Sequence, residues 1–493
     1  MTGLGARLGE LAGSRGAEQA MLVWRRERRL SWAELERLTR QRAEGLAGLG
    51  SRCVIAVRAA NDIEPVVSVL GCLRAGVTVL LTDPRGDVPA HALAAHGYCV
   101  HHEDGQRDGE RAGCRADPGG GAAPAYLLLT GGSTGAPKIV ARPGPVVYDP
   151  VTVPNPVLRA ANWHDRQTQL VAMPIHHAAG FMGFIEGLLS GNTLMLCPEI
   201  IGHEFWTAAE RCRIDWCLLT PTHMRLIDAT SVRPPRLSRT LTVLHTAAEC
   251  PADLKSRWIE LLGPRNVFEM YSGTERTGST LIRGDEWLAR PGSVGRGVFT
   301  QVRILDDAFR PLPAGEVGEV FMRVPGRRSQ AGPPSRAGGA SGGSASRAGW
   351  ASGGSPSRAT PTGFVSLGDL GRLDEAGYLY LSGRTDDLML VGGENVYPAE
   401  IEAVIRGHPA VTDVAVAAVP DELRGERPVA YVVAGREPVG EQAILRHCAD
   451  RLTPNRVPKA IRFLSEIPRT ATGKIVRRRH GDWQARYPPG GER

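Results

Sequence analysis

Residues 127–140 read LLLTGGSTGAPKIV. An apolar run ends at Thr130 and passes into Gly131, Gly132, Ser133, Thr134 and Gly135 before Lys138. Glycine N–H groups converging on one point, two hydroxyl donors and a compact ammonium are the parts of a phosphate cradle. A P-loop places glycine directly before its lysine, at a helix start. Pro137 occupies that place here, which removes an N–H and disfavours the α conformation at Ala136. The stretch is not a P-loop. Taken alone, it reads either as an anion cradle or as a polar turn closing a strand.

Outward from this loop, composition sets the limits. A chain of 493 residues is too long for one core and implies two or three domains. Hydrophobic residues at 42% and charged residues at 23% describe a globular, water-soluble class, and no apolar run reaches membrane-spanning length. The start of the chain lacks the basic-then-apolar pattern of a secretory leader. Nine scattered cysteines without a CxxC pair fit a reducing cytoplasm and point to neither a zinc site nor a disulfide framework. The net charge of +7 is spread along the chain, and no nucleic-acid module accompanies the basic run 469–479. Only four lysines (138, 255, 459 and 474) stand against fifty-five arginines. Lys138 and Lys474 both lie in loops of glycine and threonine, where a slim ammonium enters a crowded phosphate site that a guanidinium fork does not fit.

The pattern before and after the loop is that of a parallel α/β protein. SWAELERLTRQRAEGLAGL, from Ser31, has an N-cap serine, Glu34 at the capping-box position and helical spacing of Leu35, Leu38 and Leu46. CVIAVRA (from Cys53), VVSVLGCLRAG (from Val66) and VTVLLTD (from Val77) read strand, helix, strand. LVAMP, NTLMLCP, WCLLTP and LTVLHTAA, from Leu170, Asn192, Trp216 and Leu241, add short buried strands, and 103–124 reads as a polar surface connection. From 326 to 361 the composition collapses to Gly, Ser, Ala, Arg and Pro. SRAGGASGGS recurs as SRAGWASGGS after 11 residues. Nothing in the unit builds a core, so the segment reads as a disordered loop. The final hundred residues alternate strands (VTDVAVAAV, RPVAYVV, KAIRFL) with helices (PAEIEAVIRG, EQAILRHCADRL), a compact α+β domain.

Four further motifs follow the opening loop in order: EMYSGTERTG (269–278), SLGDLGRLDEAGYLYLSGR (366–384), TDDLMLVGGENVYPAEIE (385–402) and IPRTATGKIVRR (467–478). The series resembles the acyl-adenylating, AMP-binding superfamily of acyl-CoA synthetases, luciferases and peptide-synthetase adenylation domains. HTAAECP (245–251), GDEWLARPGSVGR (284–296) and GFVSLGDLG (363–371) look most like the branch that activates bulky cyclic acids, the bile-acid CoA ligases. The resemblance implies a large N-terminal α/β domain of stacked sheets with a β-barrel-like subdomain, 1–385. A small mobile α+β domain, 386–493, would follow, hinged at Asp386. It implies an ATP-dependent, Mg²⁺-requiring acyl-CoA ligase. Its acid would be bulky and hydrophobic, cyclic or terpenoid-like, and its thiol would come from coenzyme A. An acyl-carrier protein is the alternative acceptor. Thioester synthesis from a preformed adenylate alone and a non-catalytic acyl-nucleotide binder are two further alternatives.

The chemistry explains the residue types. A carboxylate attacks the α-phosphorus of ATP although both are anions, so charge neutralisation and positioning govern the barrier. By resemblance, Thr130 to Lys138 wraps the β- and γ-phosphates, Thr274 donates to the α-phosphate and Glu275 holds Mg²⁺. Tyr271 stacks on adenine against Ala247 and Ala248, with Met270, Ser272 and Gly273 completing the motif. Asp369 takes the ribose hydroxyls and Arg384 adds a nucleotide contact. Lys474 bridges carboxylate and α-phosphate. His177 gates acyl entry; Phe181, Phe184, Thr246 and Gly278 line the acyl pocket; Gly392 and Gly393 line the pantetheine tunnel. Without the family, Glu275 is a solvated acid, Tyr271 and the two phenylalanines are core, Asp369 caps a turn and Lys474 belongs to a basic tail. Three departures stand out: Ser272 where glycine is common, Thr246 and Glu249 where glycine and proline are usual, and the long segment before Asp369.

Overall fold

The computed structural model describes residues 1–26, 28–49, 53–86, 88, 93–94, 99–102, 124–130, 138–198, 202–228, 237, 239–273, 277–326, 358–392, 394–421, 424–435, 437–469 and 475. They separate into two units, one from Met1 to Pro291 and one beginning at Gly292.

In the first unit, short apolar strands alternate with helices, and such strands pair in parallel because helices cover both faces. One sheet sets Cys99–His102, Cys53–Arg58, Thr78–Thr82 and Pro124–Thr130 side by side in parallel, and Lys138–Pro143 returns antiparallel. The helix Ile63–Ala75 crosses between Cys53–Arg58 and Thr78–Thr82. Asp62 caps it and Gly76 ends it at φ +70°. The second sheet aligns Gln19–Val23, Thr193–Leu196, Thr168–Val171, Trp216–Leu219, Thr242–His245 and Val267–Ser272 in parallel. Arg29–Ser31 and Ser279–Arg283 pair antiparallel with its outer strands.

One buried core spans both sheets. It takes Val57 and Leu81 from the first, Met21 and Leu196 from the second, and Phe181, Phe184 and Leu188 from the helix Ala178–Leu189. Each such side chain contributes roughly 1.5–3 kcal/mol by leaving water. The capping box expected at Ser31 is present in both directions, and Leu35 is buried. The helix runs Trp32–Glu44, shorter than the sequence suggested. Leu46 is buried from the turn beyond Gly45, so its apparent helical spacing was coincidental.

The second unit opens with an antiparallel sheet ordered Gln301–Leu305, Gly318–Arg323, Val365–Leu373, Leu379–Arg384, Ser293–Gly297. Beyond it, Val411–Asp421 pairs with Gly425–Ala434 over nearly its whole length, Met389–Val391 and Glu394–Val396 extend that sheet, and Ile461–Phe463 adds a parallel strand. Helices Pro398–Arg406 and Glu441–Ala449 bury Ile401, Ile405, Ile444 and Cys448 against it. This is the expected α+β arrangement.

Of the repetitive segment 326–361, residues 327–357 lie outside the described residues. Its last four belong to the fold, which corrects the expected boundary. Ala359 bridges Val365, and the Thr360 N–H donates to the Phe364 carbonyl at 2.8 Å. Arg358 lies over the Phe309 ring at 4.8 Å and donates to the buried Glu319 carboxylate. A buried carboxylate needs that partner. Arginine in a low-complexity stretch gave no sign of it.

Candidate active site

Loops leaving the carboxyl ends of parallel strands are where ligands bind in sheets of this kind. In the first unit most candidate residues follow such strand ends in the chain, whereas Phe181 and Phe184 lie on the helix Ala178–Leu189. Residues 131–137 follow Pro124–Thr130, His176 and His177 follow Thr168–Val171, Thr246–Ala248 follow Thr242–His245, and Gly273–Gly278 follow Val267–Ser272. Thr130 and Lys138 are paired across the hairpin, so the glycine loop springs from two neighbouring strand ends. Gly131, Gly132, Ser133, Thr134 and Gly135 lie outside the described residues, as do Thr274, Glu275, Gly393 and Lys474.

Thr246 and Met270 join two of these ends. The Thr246 hydroxyl is buried and donates to the Met270 carbonyl at 2.7 Å. Ala247 follows at φ +78°, a left-handed conformation that is costly for a residue with a Cβ and concentrates at functional sites. Ala248 and Tyr271 are half-buried. Ser272 is not a passive replacement for glycine. It pairs with Ser279, donates to the Gly278 carbonyl at 2.9 Å and accepts the Ser279 hydroxyl at 3.1 Å. The serine thereby closes the base of the loop that carries Thr274 and Glu275.

The histidine loop is held by a residue that motif reading passed over. Asn61 is buried, and its amide nitrogen lies 3.0–3.1 Å from the carbonyls of Val171, Met173 and Cys197. Its Oδ1 accepts the Ile175 N–H at 3.0 Å. His176 and His177 then sit with ring centroids 4.3 Å apart. Burial, with His176 beside it, lowers the His177 pKa to about 4, so this ring is neutral at physiological pH. Burial also lowers the pKa of His176, while the Ala59 carbonyl and Asp83 oppose the shift. Phe181 and Phe184 have no exposed surface and belong to the core, where Tyr126 meets Phe181 edge-on at 4.6 Å. A cavity of about 10 Å³ borders Phe184, Met173, Gly183 and Leu218, room for one water at most.

In the second unit Asp369 and Arg384 are cross-strand partners. Arg384 donates to Asp369 Oδ1 and to the Leu367 carbonyl, each at 3.2 Å. Gly368, at φ +75°, sits in a bulge of the strand Val365–Leu373, next to Asp369. Asp386 lies in the short 3-10 turn Thr385–Asp387, and Gly392, at φ +59°, opens the hairpin between Met389–Val391 and Glu394–Val396.

Sequence reasoning also missed a buried charge pair behind the Thr246–Met270 junction. Lys255 Nζ lies 2.5 Å from Glu269 Oε2 with no exposed side-chain surface, and 4.7 Å from the Trp287 ring centre. Burial pushes the Glu269 carboxyl pKa up while Lys255 pulls it back. His245 is wholly buried. Burial and the Lys255 charge drive its pKa well down, and neither ring nitrogen has a hydrogen-bond partner among the described residues. The scarcity of lysine was a usable signal for Lys255. The partner and the burial were not visible.

Comparison with known proteins identifies the family and the fold. Family models match at residues 95–327 (AMP-binding enzyme) and 400–474 (AMP-binding enzyme C-terminal domain). A feruloyl-CoA synthase from Amycolatopsis sp is 30% identical, with 92% of this chain and 94% of that protein aligned. The long-chain fatty acid CoA ligase FadD13 of Mycobacterium tuberculosis is also 30% identical, over 71% of this chain and 66% of that ligase. The fold matches o-succinylbenzoate CoA synthetase of Bacillus subtilis in complex with AMP at a TM-score of 0.76, with 22% identity and coverage of 96% and 97%. No helix among the described residues is long and apolar enough to cross a membrane. Two family models, a shared fold and full-length kinship lead to one conclusion: the chain belongs to the AMP-binding enzyme family, as a relative of its acid–thiol ligases.

Proposed function

We propose that this enzyme joins a carboxylic acid to the thiol of coenzyme A in two steps. In the first, the acid's carboxylate oxygen bonds to the α-phosphorus of ATP and pyrophosphate leaves. In the second, the thiolate attacks the acyl carbon and AMP leaves. The observation that carries this reading is the junction at the carboxyl ends of Thr242–His245 and Val267–Ser272, where Thr246 bonds Met270 beside a left-handed alanine and a half-buried tyrosine. Small side chains at Ala247 and Ala248 leave a flat surface for an aromatic base beside Tyr271. The pairing of Asp369 with Arg384 orients a carboxylate for two ribose hydroxyls.

In this reading the loop from Thr130 to Lys138 holds the outer phosphates and Thr274 the α-phosphate. Lys474 lies between the two anions that must meet. Glu275 would hold Mg²⁺, which supplies charge neutralisation on the phosphates. Neutral His177, at the start of the helix Ala178–Leu189, borders the route of the acid without adding a charge. Gly392 and Gly393 border the thiol's approach. We further propose a bulky, hydrophobic, cyclic acid, on the strength of HTAAECP and GDEWLARPGSVGR, and a cytoplasmic site of action.

The test follows pyrophosphate and thioester separately, with a panel of cyclic acids, ATP, Mg²⁺ and either coenzyme A or a carrier protein. Both products with coenzyme A are expected. Thioester made from supplied acyl-adenylate without pyrophosphate release would refute the two-step reading. Lys474→Ala should slow adenylation by about 10²–10³-fold, the cost of losing one preorganised charge contact. It should leave thioester formation from supplied adenylate near normal.

A further inference from the structure

Glu269 is the point at which both stems of one loop are fastened. The loop 246–251 begins where Thr242–His245 ends, and His245 faces Glu269 across the parallel pair. It ends where the helix Ala252–Leu262 begins, and Lys255, on the first turn of that helix, reaches back to Glu269 Oε2 at 2.5 Å. The backbone of Glu269 continues directly into Met270, which accepts the Thr246 hydroxyl, and into Tyr271. One residue thus ties the alanine loop and the tyrosine strand to the same helix. The ammonium is enclosed by the Trp287 ring at 4.7 Å and has no solvent-exposed surface. In a chain with four lysines, one is wholly buried here, where a compact ammonium needs less room than a planar guanidinium.

We propose that Lys255 and Glu269 are a positioning pair for nucleotide binding. They hold Ala247–Ala248 and Tyr271 at the spacing an adenine ring requires, without touching the nucleotide themselves. The inference rests on the nucleotide role proposed above for those three residues. A merely structural pair would behave differently. Buried ion pairs can often be exchanged for apolar residues of similar size with stability kept or raised, whereas removing one partner is destabilising. The compensated exchange therefore separates positioning from stability.

The experiment measures ATP–Mg²⁺ binding by calorimetry and urea unfolding on the full chain. It compares wild type, Lys255→Met, and the double variant Lys255→Met/Glu269→Leu. The single variant is expected to be unstable, since it leaves a carboxylate buried without its cation. The double variant is expected to unfold at a urea midpoint close to wild type yet bind ATP about tenfold more weakly, because a small misplacement of a binding surface is enough to cost that much. A double variant with wild-type stability and wild-type ATP affinity would overturn the proposal and make the pair structural. A double variant whose ATP affinity falls only in step with its stability would overturn it as well. Failure of the wild-type chain to bind ATP would instead overturn the nucleotide reading on which the proposal rests.

Discussion

Acidification from pH 7 to about pH 5 should destabilise the N-terminal unit through its buried imidazoles. Folding lowers the pKa of His177 and of His223 from 6.5 to about 4, in both cases chiefly by burial. His223 also accepts the Thr220 N–H at Nδ1, a bond that protonation would break. Because the unfolded chain binds protons that the folded chain refuses, stability is complete above the unfolded pKa and is lost as pH falls from 6.5 toward 4. At pH 5 each ring has forfeited about 2 kcal/mol relative to pH 7, so the two together remove up to about 4 kcal/mol of a total near 5–15. His245 and His176 act in the same direction. Glu269 acts against them, since a raised carboxyl pKa favours the folded state as pH falls. Urea unfolding followed by fluorescence of the buried Trp216 and Trp258 reads the sum at both pH values. His223→Gln isolates one share, and its pH slope should be flatter than wild type by about 2 kcal/mol. Equal slopes for variant and wild type would refute the reasoning, for they would mean that His223 reaches water when it is charged.

Four further outcomes follow from the packing and the proposed chemistry. Arg358→Ala should cost about 1–3 kcal/mol in urea unfolding, because Glu319 would stay buried without its cation. Replacing 327–357 with a short Gly-Ser connection should shift the midpoint by less than about 0.5 kcal/mol, since register is set by Met322–Val365 and Phe321–Ser366 on either side. Ser272→Gly, although it restores the common residue, should lower stability by about 1–2 kcal/mol by removing hydroxyl bonds to Gly278 and Ser279. Gly393→Leu should block thioester formation while pyrophosphate release continues; loss of both would show that the substitution disturbs more than the thiol's approach.

The parts of the fold that rest on local pattern were legible in the sequence. Cys53–Arg58, Thr78–Thr82, Thr193–Leu196, Trp216–Leu219 and Thr242–His245 lie where continuous apolar runs placed them, because strands buried on both faces carry little else. The Ser31 and Glu34 cap was readable because both partners lie three residues apart. Leu46 misled for the complementary reason: burial from a turn looks the same as burial from a helix when only spacing is available. Candidate residues came from motifs in order; Thr130, His177, Thr246 to Ala248 and Met270 to Gly273 lie at strand ends, while Phe181 and Phe184 proved to be core residues of the helix Ala178–Leu189. Asn61, Lys255 with Glu269, and Arg358 with Glu319 were not legible. Each is defined by a partner far along the chain, and a lone polar residue in an apolar segment carries no mark of whether its partner exists.

Asn61 has a consequence for the time course of folding. Its amide joins carbonyls 110, 112 and 136 residues away, across two sheets that can each pair their strands without it. Bonds of such long range form after the chain between them has been closed, so they are expected to be absent from the transition state. Asn61→Ala should then leave the refolding rate almost unchanged and accelerate unfolding, with nearly all of its destabilisation appearing on the unfolding arm of the chevron. A single buried amide would in that case govern how long the histidine loop stays in place once formed, rather than how quickly it forms.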